Sequence, residues 1–195
     1  MRWIVGFLLK LLYRVEVRGA LPPAGRRVII ANHQSFLDAP LLWSLLARDA
    51  LWVVHSQVMQ IRLFRVLLKA VDYVVIDTAR PMAMKHLVEV IESGRPVIIF
   101  PEGRVTVTGA MMKVYDGPAF LAAKAEAVIA PVWIEGAMHA RGFSRMGAGF
   151  PLKWFPKIRI TLLPAARIPM PEARSGKLRR RKAGEQMRRL MQRTR

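Results

Sequence analysis

The sequence predicts an α/β fold: a single domain with a largely parallel or mixed sheet flanked by helices. Two observations predict this class. Short apolar runs of strand length alternate with segments whose apolar residues recur at helical spacing. In addition, 195 residues with 53% hydrophobic composition fit one domain with a sizeable core. Because helices commonly connect parallel strands, this alternation favours a largely parallel sheet.

The elements follow in chain order from these patterns. The predicted strands lie in "YRVEVRG", "RVIIAN", "LWVVH", "DYVVI", "PVIIF" and "VIAPVWI". Helical patterns occupy residues 57–70, 81–93 and 116–126. Residues 143–157 mix glycine, proline, aromatics and cations, which predicts a surface loop. Within it, Trp154 and Phe155 suit either a membrane interface or an ordinary loop.

Both ends of the chain are predicted to be basic amphipathic helices, so we divide it into residues 1–14, 15–171 and 172–195. The apolar stretch from Trp3 to Tyr13 is well short of the ~20 residues that cross a bilayer. On a helix its residues separate into two faces, one with Ile4, Phe7, Leu8 and Leu11 and the other with Gly6, Lys10, Tyr13 and Arg14.

This pattern favours a helix lying in a membrane interface over one packed on its own domain. A signal peptide is disfavoured because Lys10 interrupts the stretch and no small-residue cleavage site follows. Residues 172–195 carry ten Lys or Arg against two Glu, and Ala183, Met187, Leu190 and Met191 recur at helical spacing. This segment suits acidic lipid or a solvated end helix.

Charge and composition indicate which classes of partner and cofactor the protein binds. Thirty-two Lys and Arg against 13 Asp and Glu give a net charge of +19, which predicts attraction to phosphate-rich surfaces. Because the cations concentrate at both ends beside apolar residues, we expect a membrane surface as the partner and no nucleic acid. A basic nucleic-acid- or membrane-binding module without catalysis is the alternative from a different class. The absence of cysteine and of clustered histidines leads us to expect no metal and no bound cofactor. No Gly-x-Ser-x-Gly or Gly-Lys-Ser/Thr motif points to a serine hydrolase or a phosphate loop.

The segment "ANHQSFLDAP" contains a candidate proton-handling pair, His33 and Asp38. On a continuous helix five residues turn through about 500°, which would leave the two side chains about 140° apart. Pro40 favours a helix that begins near Asp38, which leaves His33 in a turn that can fold back. The alternative is that Ser35 and Asp38 only cap the helix. The two roles are compatible, since one carboxylate oxygen can serve each.

A second motif, "RPVIIFPEGR", follows a predicted strand and ends in Pro101, Glu102, Gly103 and Arg104. Ligands of α/β sheets gather beyond the carboxyl ends of strands, where glycine allows a close approach of the backbone. The guanidinium of Arg104 offers a fork of donors that matches phosphate.

Together, "NHQSFLD" and "FPEGR" resemble the first and third signature blocks of the glycerolipid acyltransferases, membrane enzymes that acylate glycerophosphate or lysophospholipids. Nearly the whole chain is similar to the N-terminal acyltransferase portion of the bacterial bifunctional acyl-[acyl-carrier-protein] synthetase and 2-acylglycerophosphoethanolamine acyltransferases. In those proteins an adenylate-forming synthetase domain follows, and it is a possible partner here.

The resemblance implies roles for the motif residues. His33 would be the general base on the glycerol hydroxyl and Asp38 would orient it, with an acyl thioester of acyl carrier protein or coenzyme A as co-substrate. The glycerophosphate would be positioned by Glu102, Gly103 and Arg104, with Lys113 as a further contributor. The motifs would be supported by Asn32, Ser35, Pro101 and Pro131.

One block departs from the family pattern. Many members have Ile-Asp-Arg where this chain has Ile76, Asp77 and Thr78, and Arg80 is an uncertain replacement. Losing a phosphate-binding arginine favours a phosphodiester headgroup, as in lysophosphatidylethanolamine, with lysophosphatidic acid as the alternative. We expect a peripheral or monotopic protein on the cytoplasmic face of the inner or plasma membrane. The remaining histidines, His55, His86 and His139, have no carboxylate at informative spacing and are predicted to be structural.

Overall fold

A computed structural model describes residues 2–47, 49–56, 68, 71–76 and 81–192. The described residues form five α-helices and eight strands. The helices are α1 Arg2–Leu12, α2 Asp38–Leu45, α3 Pro81–Glu92, α4 Gly117–Lys124 and α5 Gly176–Gln192. The strands are β1 Glu16–Arg18, β2 Arg27–Ala31, β3 Leu51–His55, β4 Tyr73–Ile76, β5 Val97–Ile99, β6 Val128–Glu135, β7 Arg159–Leu162 and β8 Ala166–Arg167.

The strands form one mixed sheet in the order β1-β7-β6-β2-β5-β3-β4, with β8 paired to β6. Strand β2 is parallel to both β5 and β6, and β3 is parallel to β4 and β5. Strands β7 and β8 run antiparallel to β6, while β1 is parallel to β7. The predicted α/β class with a mixed, helix-flanked sheet is therefore confirmed.

The six predicted strands are confirmed, and β7 and β8 are additions that we did not predict. The period-2 alternation of β7, which buries Ile160 and Leu162, was present in the sequence and was missed, whereas the two residues of β8 are too few for such a pattern. Helices α3 and α4 confirm two of the predicted helical segments. The third, at 57–70, lies mostly outside the described residues, as do Asp77, Thr78 and Arg80.

The sheet is covered on both faces because its central strands alternate between two apolar clusters. In β2, Ile29 and Ala31 belong to the cluster that α2 covers. Val28 and Ile30 belong to the cluster beneath α3, α4 and α5. Burial on both faces is typical of parallel strands, and it leaves the carboxyl ends of β2 and β5 as the place where polar side chains can gather.

The C-terminal helix uses its apolar face within the protein. Ala183, Met187 and Met191 are fully buried in the cluster beneath α3, α4 and α5. The domain itself therefore covers the apolar face of this helix, and its exposed face is cationic. Contact of that face with acidic lipid and a solvated end helix both stay predictions. Among the described residues, no helix combines the length and the apolar character that crossing a bilayer requires.

Candidate active site

The segment between β2 and α2 brings the predicted pair together. Strand β2 ends at Ala31, and α2 begins at Asp38, as the position of Pro40 led us to expect. The turn between them folds the imidazole back, so that Nδ1 of His33 lies 2.8 Å from Oδ2 of Asp38. Because Asp38 is completely buried, this contact is shielded from water.

The carboxylate of Asp38 also organises the turn. Its Oδ2 accepts hydrogen bonds from the backbone N–H groups of Gln34 at 2.6 Å and Ser35 at 2.9 Å. From the described residues, its Oδ1 accepts only the Ser35 hydroxyl, at 3.4 Å. The expectation that one oxygen of Asp38 caps the helix while the other binds His33 is therefore wrong. One oxygen holds both the imidazole and the backbone, since the fold places all three N–H groups on the same side.

The imidazole of His33 is held by a second contact that the sequence did not reveal. It stacks on the ring of Phe100, with centroids 4.0 Å apart and 13° between the planes. Since a carboxylate oxygen accepts at Nδ1, we assign the proton to that nitrogen, which leaves the Nε2 lone pair free to accept a proton. The side chain is 16% exposed, so the described residues do not fully enclose the imidazole.

Glu102 binds backbone groups that the sequence did not predict. Its carboxylate is buried and accepts a hydrogen bond from the His33 N–H at 2.8 Å through Oε1, and from the Met112 N–H at 2.6 Å through Oε2. Burial raises the pKa of the Glu102 carboxyl above its usual value of 4.5, and these two hydrogen bonds oppose the shift. Glu102 therefore holds the backbone of His33, and its predicted contact with the glycerophosphate stays a prediction.

The loop after Glu102 fixes the other backbone group of the histidine. The N–H of Thr106 donates to the His33 carbonyl at 2.9 Å. The Thr106 hydroxyl donates to the Ala110 carbonyl at 2.8 Å and accepts the Gly109 N–H at 3.1 Å. Sequence reasoning missed Thr106, since nothing in "VTVTG" shows which threonine turns inward. Glu102 and Thr106 thus fix the N–H and the carbonyl of His33, respectively.

The two predicted phosphate-binding cations lie at the exposed edge of the same region. Gly103 has a positive φ of 65°, which turns the chain and leaves Arg104 exposed. Exposed Lys113 lies between Met112, bonded to Glu102, and Tyr115, whose N–H donates to the Pro101 carbonyl at 2.9 Å. The predicted contacts of Gly103, Arg104 and Lys113 with substrate stay predictions.

The supporting residues tie the site to the sheet. The side-chain amide of Asn32 donates to the Ile134 carbonyl at 2.8 Å, and its oxygen accepts the Ile134 N–H at 2.7 Å. This reciprocal pair fixes the end of β2 against β6. Pro131 is buried on β6 opposite Ile30, and Pro101 is buried at the end of β5.

The other three histidines lie on other elements of the described structure. His55 and His86 are exposed, at the end of β3 and on α3. His139 stacks on Phe150 at 4.8 Å and donates from Nδ1 to the Pro151 carbonyl at 2.9 Å. In the described part of the chain, no group of three or more His, Cys, Asp or Glu residues could hold a metal ion.

A histidine in contact with a buried aspartate at the carboxyl ends of parallel strands is an arrangement that can activate a hydroxyl. Comparison with known proteins identifies the family. Residues 14–135 match the Acyltransferase family, which is more than half of the 195-residue chain. The chain therefore belongs to the acyltransferase family, and the predicted class, a glycerolipid acyltransferase enzyme, is confirmed.

Two relatives extend this comparison. The chain is 29% identical over 140 residues to a 1-acyl-sn-glycerol-3-phosphate acyltransferase of Limnanthes alba, a match that covers 68% of this chain and 50% of the relative. It thus spans half the length of that protein. The fold is similar to the crystal structure of the 1-acyl-sn-glycerophosphate acyltransferase PlsC of Thermotoga maritima, with a TM-score of 0.66 and 21% identity. That match covers 95% of this chain and 78% of the other.

Proposed function

We propose that the protein transfers a fatty acyl group from an acyl thioester to the free glycerol hydroxyl of a lysophospholipid, with His33 as the general base. The observation that carries this function is the 2.8 Å contact between His33 Nδ1 and Asp38 Oδ2, with the carboxylate completely buried. Membership of the acyltransferase family supplies the reaction type.

The mechanism follows from the orientation of the ring. Nε2 of His33 takes the proton of the glycerol hydroxyl as that oxygen attacks the thioester carbonyl carbon. The tetrahedral intermediate then collapses, the C–S bond breaks, and the imidazolium returns its proton to the thiolate. Asp38 stabilises the imidazolium and holds the ring, so no covalent enzyme intermediate is required.

Two exposed cations bind the phosphate in this proposal, one in the third block and one on a neighbouring segment. Arg104 presents a planar fork of donors, and Lys113 adds a mobile point charge on the neighbouring segment. Glu102 carries no such role in this scheme, because a carboxylate repels phosphate and both its oxygens accept backbone N–H groups. A headgroup bound by Arg104 places the acceptor beside the His33 turn.

For the acceptor, we propose a 2-acylglycerophosphoethanolamine-like lysophospholipid. Thr78 stands where many relatives have a phosphate-binding arginine, and a phosphodiester carries one charge fewer than a fully ionised phosphomonoester. The second candidate is 1-acylglycerol-3-phosphate, which the names of the Limnanthes and Thermotoga proteins support.

The donor is proposed to be acyl carrier protein or coenzyme A loaded with a fatty acid. Both present negative charge to a chain of net charge +19. An adenylate-forming synthetase is the class of enzyme that would load such a carrier. Because the acceptor is a membrane lipid, we place the protein peripherally on the cytoplasmic face of the inner or plasma membrane.

The test is acyl transfer from each donor to each of the two lysolipids in detergent micelles. We expect product with the wild type and a loss of about 10³-fold or more with His33→Ala, since a general base contributes about 10²–10⁴-fold. His86→Ala, which changes an exposed histidine on α3, is the matched control and stays active. Equal rates for wild type and His33→Ala would contradict the mechanism. The ratio of the wild-type rates on the two acceptors decides which lysolipid is the substrate.

A further inference from the structure

Helix α1 presents its apolar face outward. Trp3 is 77% exposed, Phe7 67% and Leu11 63%, and Ile4 and Leu8 lie on the same side. The inward side carries Gly6, where an added Cβ would lie 3.3 Å from the Ser44 carbonyl oxygen of α2. The helix therefore docks on its domain through a small residue and leaves its largest apolar side chains uncovered by the described residues.

A second aromatic group lies beside the end of this helix. Trp154 is 69% exposed and Phe155 is 48% exposed. The ring of Phe155 meets that of Tyr13 edge-on, with centroids 5.6 Å apart. The guanidinium of Arg14 donates to the Phe155 carbonyl at 3.0 Å. The outward face of α1 and the pair Trp154 and Phe155, which are joined by these contacts, are called the docking surface below.

Cations accompany the docking surface. The guanidinium of Arg141 lies over the Trp154 ring, 5.3 Å from its centroid. Exposed Lys153 precedes that ring, and Lys10 and Arg14 are exposed at the end of α1. Interfacial aromatic side chains flanked by Lys and Arg are the combination that anionic lipid headgroups attract.

The loop that carries Trp154 also contacts the candidate active site. The N–H of Phe36, in the turn that holds His33, donates to the Phe143 carbonyl at 3.0 Å. The same loop therefore reaches from the catalytic turn to the end of α1. A lipid surface bound by Trp154 would lie close to the place where the acceptor hydroxyl must arrive.

We propose that the docking surface binds the interface of an anionic lipid bilayer, with Trp154 and Phe155 as a second contact beside α1. This rests on the proposed lipid acceptor and adds the site through which the enzyme meets the bilayer. The bilayer is favoured as occupant because the aromatic groups are flanked by cations on a chain of net charge +19. Such positive charge repels a second copy of the same surface.

The test measures partition onto vesicles of phosphatidylglycerol and phosphatidylethanolamine, with phosphatidylcholine vesicles as reference. The double variant Trp154→Ser/Phe155→Ser should bind the anionic vesicles at least about tenfold more weakly than the wild type. The reason is that the variant lacks the two large apolar side chains that the wild type transfers from water into the bilayer. Met82→Ser changes a residue that is 73% exposed on α3 and is the matched control, expected to bind as the wild type. Thermal unfolding of each variant verifies the fold.

A second comparison, of two variants that remove positive charge, tests the role of the cations. Arg141→Gln/Lys153→Gln should reduce the preference for phosphatidylglycerol, whereas Lys124→Gln, at an exposed cation on α4, should preserve it. Wild-type partition by the folded double aromatic variant would overturn the docking surface. A wild type that binds no vesicle, or that dimerises through Trp154, would also overturn it. Vesicle binding that depends on Trp154, without acyl transfer to a monomeric short-chain lysolipid, supports the docking surface and contradicts the proposed function.

Discussion

The carboxylate of Glu102 accepts the backbone N–H of His33 at 2.8 Å, which joins the end of β5 to the turn after β2. These strands are neighbours in the sheet, so residues 69 positions apart meet at one edge. The second oxygen of Glu102 holds the Met112 N–H, at the start of the segment that carries Lys113. One buried carboxylate thus holds both the backbone of His33 and the start of the segment that carries the candidate phosphate-binding cation.

Glu102→Gln should lower kcat by about tenfold with a small change in the KM for the lysolipid. The amide NH₂ replaces one acceptor oxygen and meets a backbone N–H, so His33 or Met112 loses its partner. Arg104→Gln should instead raise that KM, because it removes a donor to phosphate. Steady-state kinetics separates the two effects. Glu92→Gln, at the exposed end of α3, is the control. A rise in KM alone for Glu102→Gln would show that this side chain contacts substrate after all.

The raised pKa of Glu102 predicts a pH-dependent contribution to stability. Because burial raises the folded-state pKa above 4.5, the folded protein binds this proton more tightly than the unfolded chain. The contribution is therefore fully present below 4.5 and is lost as pH rises through the folded-state pKa. We expect the free energy of unfolding of wild type, minus that of Glu102→Gln, to fall with rising pH across this window. Urea unfolding between about pH 4 and pH 8 measures it. A difference that rises with pH would contradict the shift.

The sequence predicted the fold class and the contact between His33 and Asp38 because both depend on local patterns. Pro40 placed the start of α2 at Asp38, and that was sufficient to free His33. The role of Glu102 depended on which strands are neighbours, and the stacking of Phe100 on His33 depended on the same adjacency. The amphipathic pattern of α1 favoured an interfacial helix, but the pattern itself is identical whichever face turns inward. The contact of Gly6 with Ser44 decides it.

The two oxygens of Asp38 predict different outcomes for Asp38→Asn and Asp38→Ala. Asparagine can keep an oxygen toward His33, Gln34 and Ser35 and turn its NH₂ toward the Ser35 hydroxyl, which can accept. It then loses only the charge that stabilises the imidazolium, and kcat should fall by about 10²-fold with little loss of stability. Alanine leaves buried N–H groups unpaired, at about 1–3 kcal/mol each.

Urea unfolding and kcat of the two variants test this difference. Asp38→Ala should be both less stable and less active than Asp38→Asn. His33→Ala removes the imidazole and keeps the turn, so it is the reference for a loss of activity without a loss of the turn. Equal destabilisation by alanine and asparagine at position 38 would show that the amide cannot adopt the proposed orientation.

Gly184→Ala should destabilise the protein, although alanine is the better helix former. Gly184 lies inside α5, where propensity alone predicts a gain of about 1 kcal/mol. However, its Cβ would overlap the carboxylate of Asp116 and lie 2.7 Å from the Asp116 Cβ. Arg188 holds that carboxylate in place, with Nη1 2.5 Å from Oδ1. We expect a loss of about 1–3 kcal/mol in urea unfolding, as for overpacked sites.

Gly176→Ala, at the start of the same helix, has no atom within 4 Å of the added Cβ and should be neutral or stabilising. The double variant Gly184→Ala/Asp116→Ala removes the overlap, so its destabilisation should be smaller than the sum of the two single effects. Additive effects, or a stabilising Gly184→Ala, would show that α5 does not approach Asp116 so closely.

Because Arg188 also donates to the Val114 carbonyl at 3.3 Å, the same clash should displace the segment that leads back to Met112. The Gly184→Ala variant should therefore lose activity as well as stability, whereas Gly176→Ala should lose neither.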